Sequence, residues 1–220
     1  MVKFSQISKK NKKMSDKKFI VGLTGGIACG KSSIATLFNR LGVNIVDADQ
    51  VARDVVEKGT ALLEKIRQTF GDEVILSDGT LNRKRLREIV FTKGADDKLK
   101  TLNELMRNDI QSTIKKRIDE ASGQYVIVMV PLLFEHHLEN TVDRILVVDV
   151  DESLQKKRLC QRDSIDIELA ENMIKNQVSR AFRLEHCHDL IKSDDSPLDK
   201  KFNVVLKLHK MYQQMAEQKK

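Results

Sequence analysis

The sequence predicts an α/β fold: a three-layer parallel sheet, interrupted by a helical insert and carrying a lid. Three observations predict it. Phe19-Ile-Val-Gly-Leu-Thr24 is a short apolar run followed at once by glycines and then by a helical pattern that opens at Lys31. Val43–Asp47 reads as a second strand soon after that helix, which makes a βαβ unit with a right-handed crossover. Tyr125–Val130 and Asp143–Asp149 are apolar on both faces, the pattern of strands covered on both sides of a parallel sheet.

Between the first strand and helix lies Gly25-Gly26-Ile27-Ala28-Cys29-Gly30-Lys31-Ser32, followed by Ser33. It fits the phosphate-binding (P-loop) pattern G-x-x-x-x-G-K-[ST] in the right strand-to-helix context. Glycines let the backbone turn so that N–H groups converge on phosphate oxygens beside the positive end of a helix. Gly25, Gly26, Ile27, Ala28, Cys29, Gly30, Lys31, Ser32 and Ser33 are therefore the expected nucleotide-binding residues. Lys31 would reach the β- and γ-phosphates, and the Ser32 hydroxyl would take a place on Mg²⁺. Cys29, at a helix N-terminus, is expected to favour the thiolate and to be sensitive to oxidation.

Ile34, Leu37, Phe38 and Leu41 follow at i, i+3, i+4, i+7, and Gly42 reads as the helix stop. Helical patterns cover 50–58 and 61–70. Val74–Leu81 forms two short runs around Asp78-Gly79, a small hairpin or bent loop outside the sheet. Asn82–Phe91 and Asp96–Ser122 read as helices, the second with Leu99, Leu102, Leu105, Met106, Ile110, Ile114 and Ile118 on one face. No convincing strand falls between Gln50 and Ser122, so this stretch is the insert. After the fourth strand, Glu152–Asp163 and Ile165–Ser179 read as helices and Arg180–Ser193 as less regular. Leu198–Gln218 is a final helix expected to pack Val204, Val205, Leu208, Met211 and Met215 on the sheet. The expected organisation is a core of 18–49, 123–151 and 189–220, an insert of 50–122 and a lid of 152–188.

The formal charge of +7 suggests nucleic acid, but its location argues otherwise. Residues 1–18 hold seven lysines and one acid, leaving +1 for the rest. Residues 1–17 read as a basic disordered tail or, with Met14 as an alternative start, a mis-assigned beginning; an arginine-free mitochondrial presequence is a further reading. No nucleic-acid partner is expected. No apolar run approaches the ~20 residues of a membrane span, and no apolar h-region marks a secretory signal. Three cysteines without C-x-x-C spacing fit free thiols in a reducing, cytoplasmic setting. A monomer or weak homo-oligomer is expected.

Asp47-Ala-Asp49 ends the second strand, and carboxyl ends of strands are where open α/β sheets bind ligands. In an extended segment the two carboxylates project to the same side, one to orient Mg²⁺ or the loop, the other to accept a proton. Asp49 equally fits a helix N-cap. Arg158 and Arg162, with Lys156 and Lys157, crowd one helix; at i, i+4 the arginines share a face and suit a lid that meets transferring phosphoryl oxygens. Pro131-Leu-Leu-Phe-Glu135 leaves the third strand as an apolar loop able to close over a substrate, with Glu135 near the nucleotide. His136-His137 reads as surface histidines, because no third ligand is spaced for them.

Taken in order, these motifs resemble the dephospho-coenzyme A kinase family: Gly22-Leu-Thr-Gly-Gly-Ile-x-x-Gly-Lys-Ser32, Leu41-Gly-Val, Val46-Asp-Ala-Asp-x-x-Ala-Arg53, Leu81-Asn-Arg-x-x-Leu-Arg87, Val90-Phe, Pro131–Glu135 and Gln161-Arg-Asp163. The similarity runs from Phe19 to the final helix. It implies a P-loop core, an acceptor-binding helical insert and a lid. It also implies ATP-dependent phosphorylation of the ribose 3′-hydroxyl of dephospho-CoA, with Mg²⁺. By the resemblance Asp49 is the base, and Lys31, Arg158 and Arg162 are catalytic with it. Asp49, Arg53, Arg87 and Leu132 are the implied acceptor contacts. Ala28 and Cys29 replace the usual Gly and Ser, and Ser33 replaces Thr. Leu105-Met-Arg-Asn108 lacks the usual His-Pro pair, Met129 replaces an acidic residue, and Ser193 stands where Asn is common. The alternative is another P-loop small-molecule or nucleoside monophosphate kinase; a switch or motor NTPase would need D-x-x-G or N-K-x-D, which are absent.

Overall fold

The computed structural model describes residues 18–92, 94–196 and 198–219, so the expected tail at 1–17 lies outside the described residues. Strands β1 (Phe19–Thr24), β2 (Ile45–Asp47), β3 (Tyr125–Met129), β4 (Arg144–Asp149) and β5 (Asp189–Lys192) form one sheet in the order β2-β3-β1-β4-β5. Every pairing is parallel, and the register sets Leu23 beside Met129 and Leu146. The most apolar strands, β1, β3 and β4, are the central ones, as covering on both faces requires.

One face buries Val21, Leu23, Ile127, Met129, Leu146 and Val148 under α1 (Lys31–Arg40) and α9 (Leu198–Gln218). Ile34, Leu37 and Phe38 supply α1's side, and Val205, Tyr212 and Ala216 supply that of α9. Tyr212 stacks near Phe38 and meets Tyr125 edge-on, with ring centroids 6.3 and 5.5 Å apart. Val204, expected in this interface, is 41% exposed; the apolar stripe of α9 is phased one residue later, through Val205. Against the other face of β1, a Cβ built on Gly22 would come within 2.8 Å of Leu133. The chain after β3 therefore packs as closely as glycine permits.

The fifth strand is a departure from the sequence expectation. Asp189-Leu-Ile-Lys192 has one buried residue, Ile191, because it is the sheet edge beyond β4. It leaves little hydrophobic periodicity to read. Arg180–Glu185, also expected to be irregular, forms the short helix α8, with Ser179 accepting a bond from Phe182 N–H as its N-cap. Helices α6 (Glu152–Asp163) and α7 (Ile167–Lys175) start at Asp151 and Asp166 caps.

The chain divides into two compact units, 48–117 and the sheet-bearing remainder. The first holds α2 (Ala48–Asp54), α3 (Ala61–Phe70), α4 (Arg83–Phe91) and α5 (Asp96–Glu120) as far as Arg117. Thr60 and Asn82 cap α3 and α4 through their side-chain oxygens. Val51, Leu63, Ile66, Val74, Leu86, Leu102, Met106 and Ile110 are among its buried apolar residues. Asp78-Gly79 turns the chain between Ile75 and Leu81, which form an isolated antiparallel bridge, the small hairpin expected. Arg117 is tied to Asp54 at 2.6 Å.

Candidate active site

The loop leaves β1 at Thr24 and enters α1 at Lys31. Gly30 is the N-cap in a left-handed conformation, φ 85°, and its carbonyl accepts from Ser33 and Ile34 N–H. Gly25 sits at φ 151°, and a Cβ there would lie 2.3 Å from the Val148 carbonyl oxygen, so this turn admits only glycine. Ala28 holds a positive φ of 58° without glycine's freedom. The Lys31 ammonium bridges the Gly25 and Gly26 carbonyls, 2.9 Å from each. No acidic residue occupies the first turn of α1, which leaves its N-terminal dipole available to an anion. Ser32 and Ser33 are exposed on that turn.

The loop is backed by the segment after β4. Gln155, buried on α6, donates to the Ile27 carbonyl at 2.8 Å, and Ile27 N–H donates to Gln177 Oε1 at 2.8 Å. Next to Gln177, Val178 N–H donates to Glu135 and the Val178 carbonyl accepts from Arg183. Arg183 is buried, and its Nη2 would lie 3.0 Å from a Cβ on Gly26. Arg180 pairs in bidentate fashion with the buried Asp149 at the end of β4, both bonds 2.8 Å.

The two arginines expected to act together take different surroundings. Arg158 donates to Ser193 O (2.7 Å) and Oγ (3.3 Å), and to Asp194 and Asp195. Ser193 Oγ itself would lie 2.8 Å from a Cβ on Gly30, so Arg158 is anchored beside the loop. Arg162 instead forks onto its neighbour Asp163, at 2.7 and 2.8 Å. Sequence reasoning missed Gln155, Gln177, Arg180 and Arg183. The signal available was a serine cap before two arginines at i, i+3; nothing marked the glutamines.

Three local expectations are corrected. The Asp47-Ala-Asp49 segment is not extended throughout: β2 ends at Asp47 and α2 begins at Ala48. Asp49 is thus an acidic residue inside the first helical turn, favourable to the helix dipole, and neither a strand residue nor the N-cap. Cys29 is buried, and burial pushes its thiol up from the ordinary value despite the attraction of Lys31, so thiolate and oxidation are both disfavoured. His136 is buried rather than on the surface; burial, with His137 beside it, pushes its pKa down to about 4. His137 is exposed.

Leu132 is half-buried after β3, its carbonyl accepting from His136 N–H. In the 48–117 unit, Arg53 bonds Gln50 at 3.1 and 3.0 Å, and Arg87 is exposed on α4. Among the described residues no group of three or more His, Cys, Asp or Glu could hold a metal ion. A hard ion such as Mg²⁺ needs few protein oxygens when phosphates supply others, and the exposed Ser32 hydroxyl fits that need.

A family model described as dephospho-CoA kinase matches residues 19–199. The dephospho-CoA kinase of Aggregatibacter actinomycetemcomitans is 45% identical over 203 residues, 90% of this chain and 97% of that protein. The solved dephospho-CoA kinase from Campylobacter jejuni superimposes with a TM-score of 0.62 at 26% identity, covering 89% of this chain and 97% of its own. A Thermus thermophilus protein shares the fold, with a TM-score of 0.75 at 22% identity over 87% and 96% of the two chains.

Proposed function

This chain belongs to the dephospho-CoA kinase family and is a kinase of coenzyme A biosynthesis; on that premise we propose how it transfers the γ-phosphoryl group of ATP to the ribose 3′-hydroxyl of dephospho-CoA, giving CoA and ADP. The observation that carries the reading is the loop itself, with Lys31 drawn across its mouth by the Gly25 and Gly26 carbonyls at the N-terminus of α1. Residues Gly25–Ser33 bind the ATP phosphates through backbone N–H groups, and Lys31 meets the β- and γ-oxygens. Ser32 would hold Mg²⁺, which would supply neutralisation of phosphate charge. Asp49 accepts the proton of the attacking hydroxyl, a role supported by the family resemblance and by its place two residues after β2 ends. Arg53, Arg87 and Leu132 contact the acceptor.

Residues 152–188 form the lid, 50–122 the acceptor-binding insert, and 18–49, 123–151 and 189–220 the nucleotide-binding core. Arg158 and Arg162 meet charge spread over the transferring oxygens; Arg158's anchorage beside Gly30 supports its part, while Arg162 must first leave Asp163. Arg183 adds positive charge beside Gly26, while the charge of Arg180 is balanced by Asp149. The protein works in the cytoplasm as a monomer or weak homo-oligomer. No described helix is long and apolar enough to cross a membrane.

ADP release measured against dephospho-CoA, adenosine, shikimate and nucleoside monophosphates tests the reading. Turnover concentrated on dephospho-CoA is expected. Equal or greater turnover on shikimate or a nucleoside monophosphate would overturn the substrate assignment.

A further inference from the structure

Two glutamines outside the loop hold consecutive peptide planes inside it. The 26–27 peptide donates its N–H to Gln177 Oε1, and the carbonyl of the 27–28 peptide accepts from Gln155 Nε2, both at 2.8 Å. The chemistry fixes the amide orientations, since a backbone N–H can only donate and a carbonyl can only accept. In a trans peptide the C=O and N–H point opposite ways. Holding Ile27 N–H against Gln177 therefore turns the Gly26 carbonyl to the side where Lys31 Nζ (2.9 Å) and Cys29 N–H (3.2 Å) take it. Holding the Ile27 carbonyl against Gln155 turns the Ala28 N–H away from α6. Ala28 then carries the positive φ of 58°, a conformation that an alanine keeps only when its neighbours impose it.

Gln155 is also why position 26 is glycine: a Cβ there would meet its Nε2 at 2.6 Å. Gln155 is 1% exposed, so its amide has little freedom to yield.

We propose that Gln155 and Gln177 are positioning residues for the nucleotide, a donor and an acceptor that preset two peptide planes of the phosphate loop. This rests on the kinase reading above. Both lie in the 152–188 stretch assigned to the lid, one on α6 and one just after α7, so the shape of the phosphate cradle depends on those elements staying docked.

The polarity of the pair gives the test. Glutamate keeps an acceptor oxygen but has no donor. In the full chain, Gln177→Glu preserves the bond to Ile27 N–H, whereas Gln155→Glu sets a carboxylate against a carbonyl. ATP affinity, measured with MgCl₂ and no acceptor present, is expected to fall about tenfold or more in Gln155→Glu and about tenfold in Gln177→Met, but within about threefold of wild type in Gln177→Glu. The KM for ATP rises with it, and the KM for dephospho-CoA does not, a split that general loosening of the fold would not produce. Equal impairment of the two glutamate variants, or wild-type affinity in Gln177→Met, overturns the proposal. Gln177 is only half-buried, so its Met and Glu pair decides the matter should Gln155→Glu melt at assay temperature. A wild-type chain that binds ATP yet makes no CoA would instead sink the kinase reading and leave the clamp standing.

Discussion

Gly25→Ala should be far more damaging than an ordinary glycine substitution, and the size of the difference follows from what surrounds it. At φ 151° an L-residue is strained by ~1–3 kcal/mol. The new Cβ would also lie 2.3 Å from the Val148 carbonyl oxygen, a backbone atom of a central strand that cannot swing aside. Overpacking of this kind costs typically ~1–3 kcal/mol more. Gly42 supplies the control: its φ of 80° is also positive, but nothing lies within 4 Å of an added Cβ. There the backbone cost of about 1 kcal/mol stands alone. For a chain of this size each kcal/mol moves Tm by ~2–4 °C, so Gly25→Ala, taken at the middle of its combined range, about 4 kcal/mol, should lower it by roughly 8–16 °C and Gly42→Ala by only a few degrees. Thermal unfolding followed by circular dichroism without nucleotide measures both. If Gly25→Ala melts no earlier than Gly42→Ala, the close approach of the loop to β4 is not what holds the turn.

Two further outcomes follow from buried titratable groups. Arg180→Ala leaves the buried Asp149 carboxylate without its bidentate partner; because Arg180 is itself about one-third exposed, water offsets part of the loss, and about 2 kcal/mol of destabilisation is expected in urea titration. Adding Asp149→Asn should restore part of it, and additive losses in the double variant would count against the pair. His136, neutral in the native state with a pKa near 4 against 6.5 when exposed, contributes stability that is fully present above pH 6.5. As pH falls from 6.5 towards 4 the unfolded chain takes up a proton that the native one refuses, so up to about 3 kcal/mol is lost in that window. His136→Gln should flatten the decline, and an unchanged acid profile would refute it.

The loop was legible because its function demands particular residues at fixed spacing: glycines where the backbone must turn against β4, then lysine and serine at a helix start. The central strands were equally legible, since burial on both faces imposes an unbroken apolar run such as Tyr125–Met129. The edge strand β5 was not, because one buried isoleucine carries no period. Nor were the loop's supports. Gln155 and Gln177 act through single amides on backbone atoms some 130 and 150 positions away, and polar residues on a charged helix or just past a helix end look like solvated surface until the fold brings them in. Arg158 and Arg162 show the converse limit: an i, i+4 pair shares a helix face, yet local partners draw one to Ser193 and the other to Asp163. His136 misled for the same reason, because the pairing with His137 said nothing about which ring the chain after β3 would bury.

The central claim is that the chain phosphorylates dephospho-CoA with Asp49 as the proposed base, and the rate of CoA appearance from ATP and dephospho-CoA tests it most directly. Wild-type protein should form CoA, and Asp49→Asn should do so at least ~100-fold more slowly while binding ATP as before. Wild-type turnover in Asp49→Asn would remove the base from the mechanism, and no CoA from the wild-type chain would contradict the account as a whole.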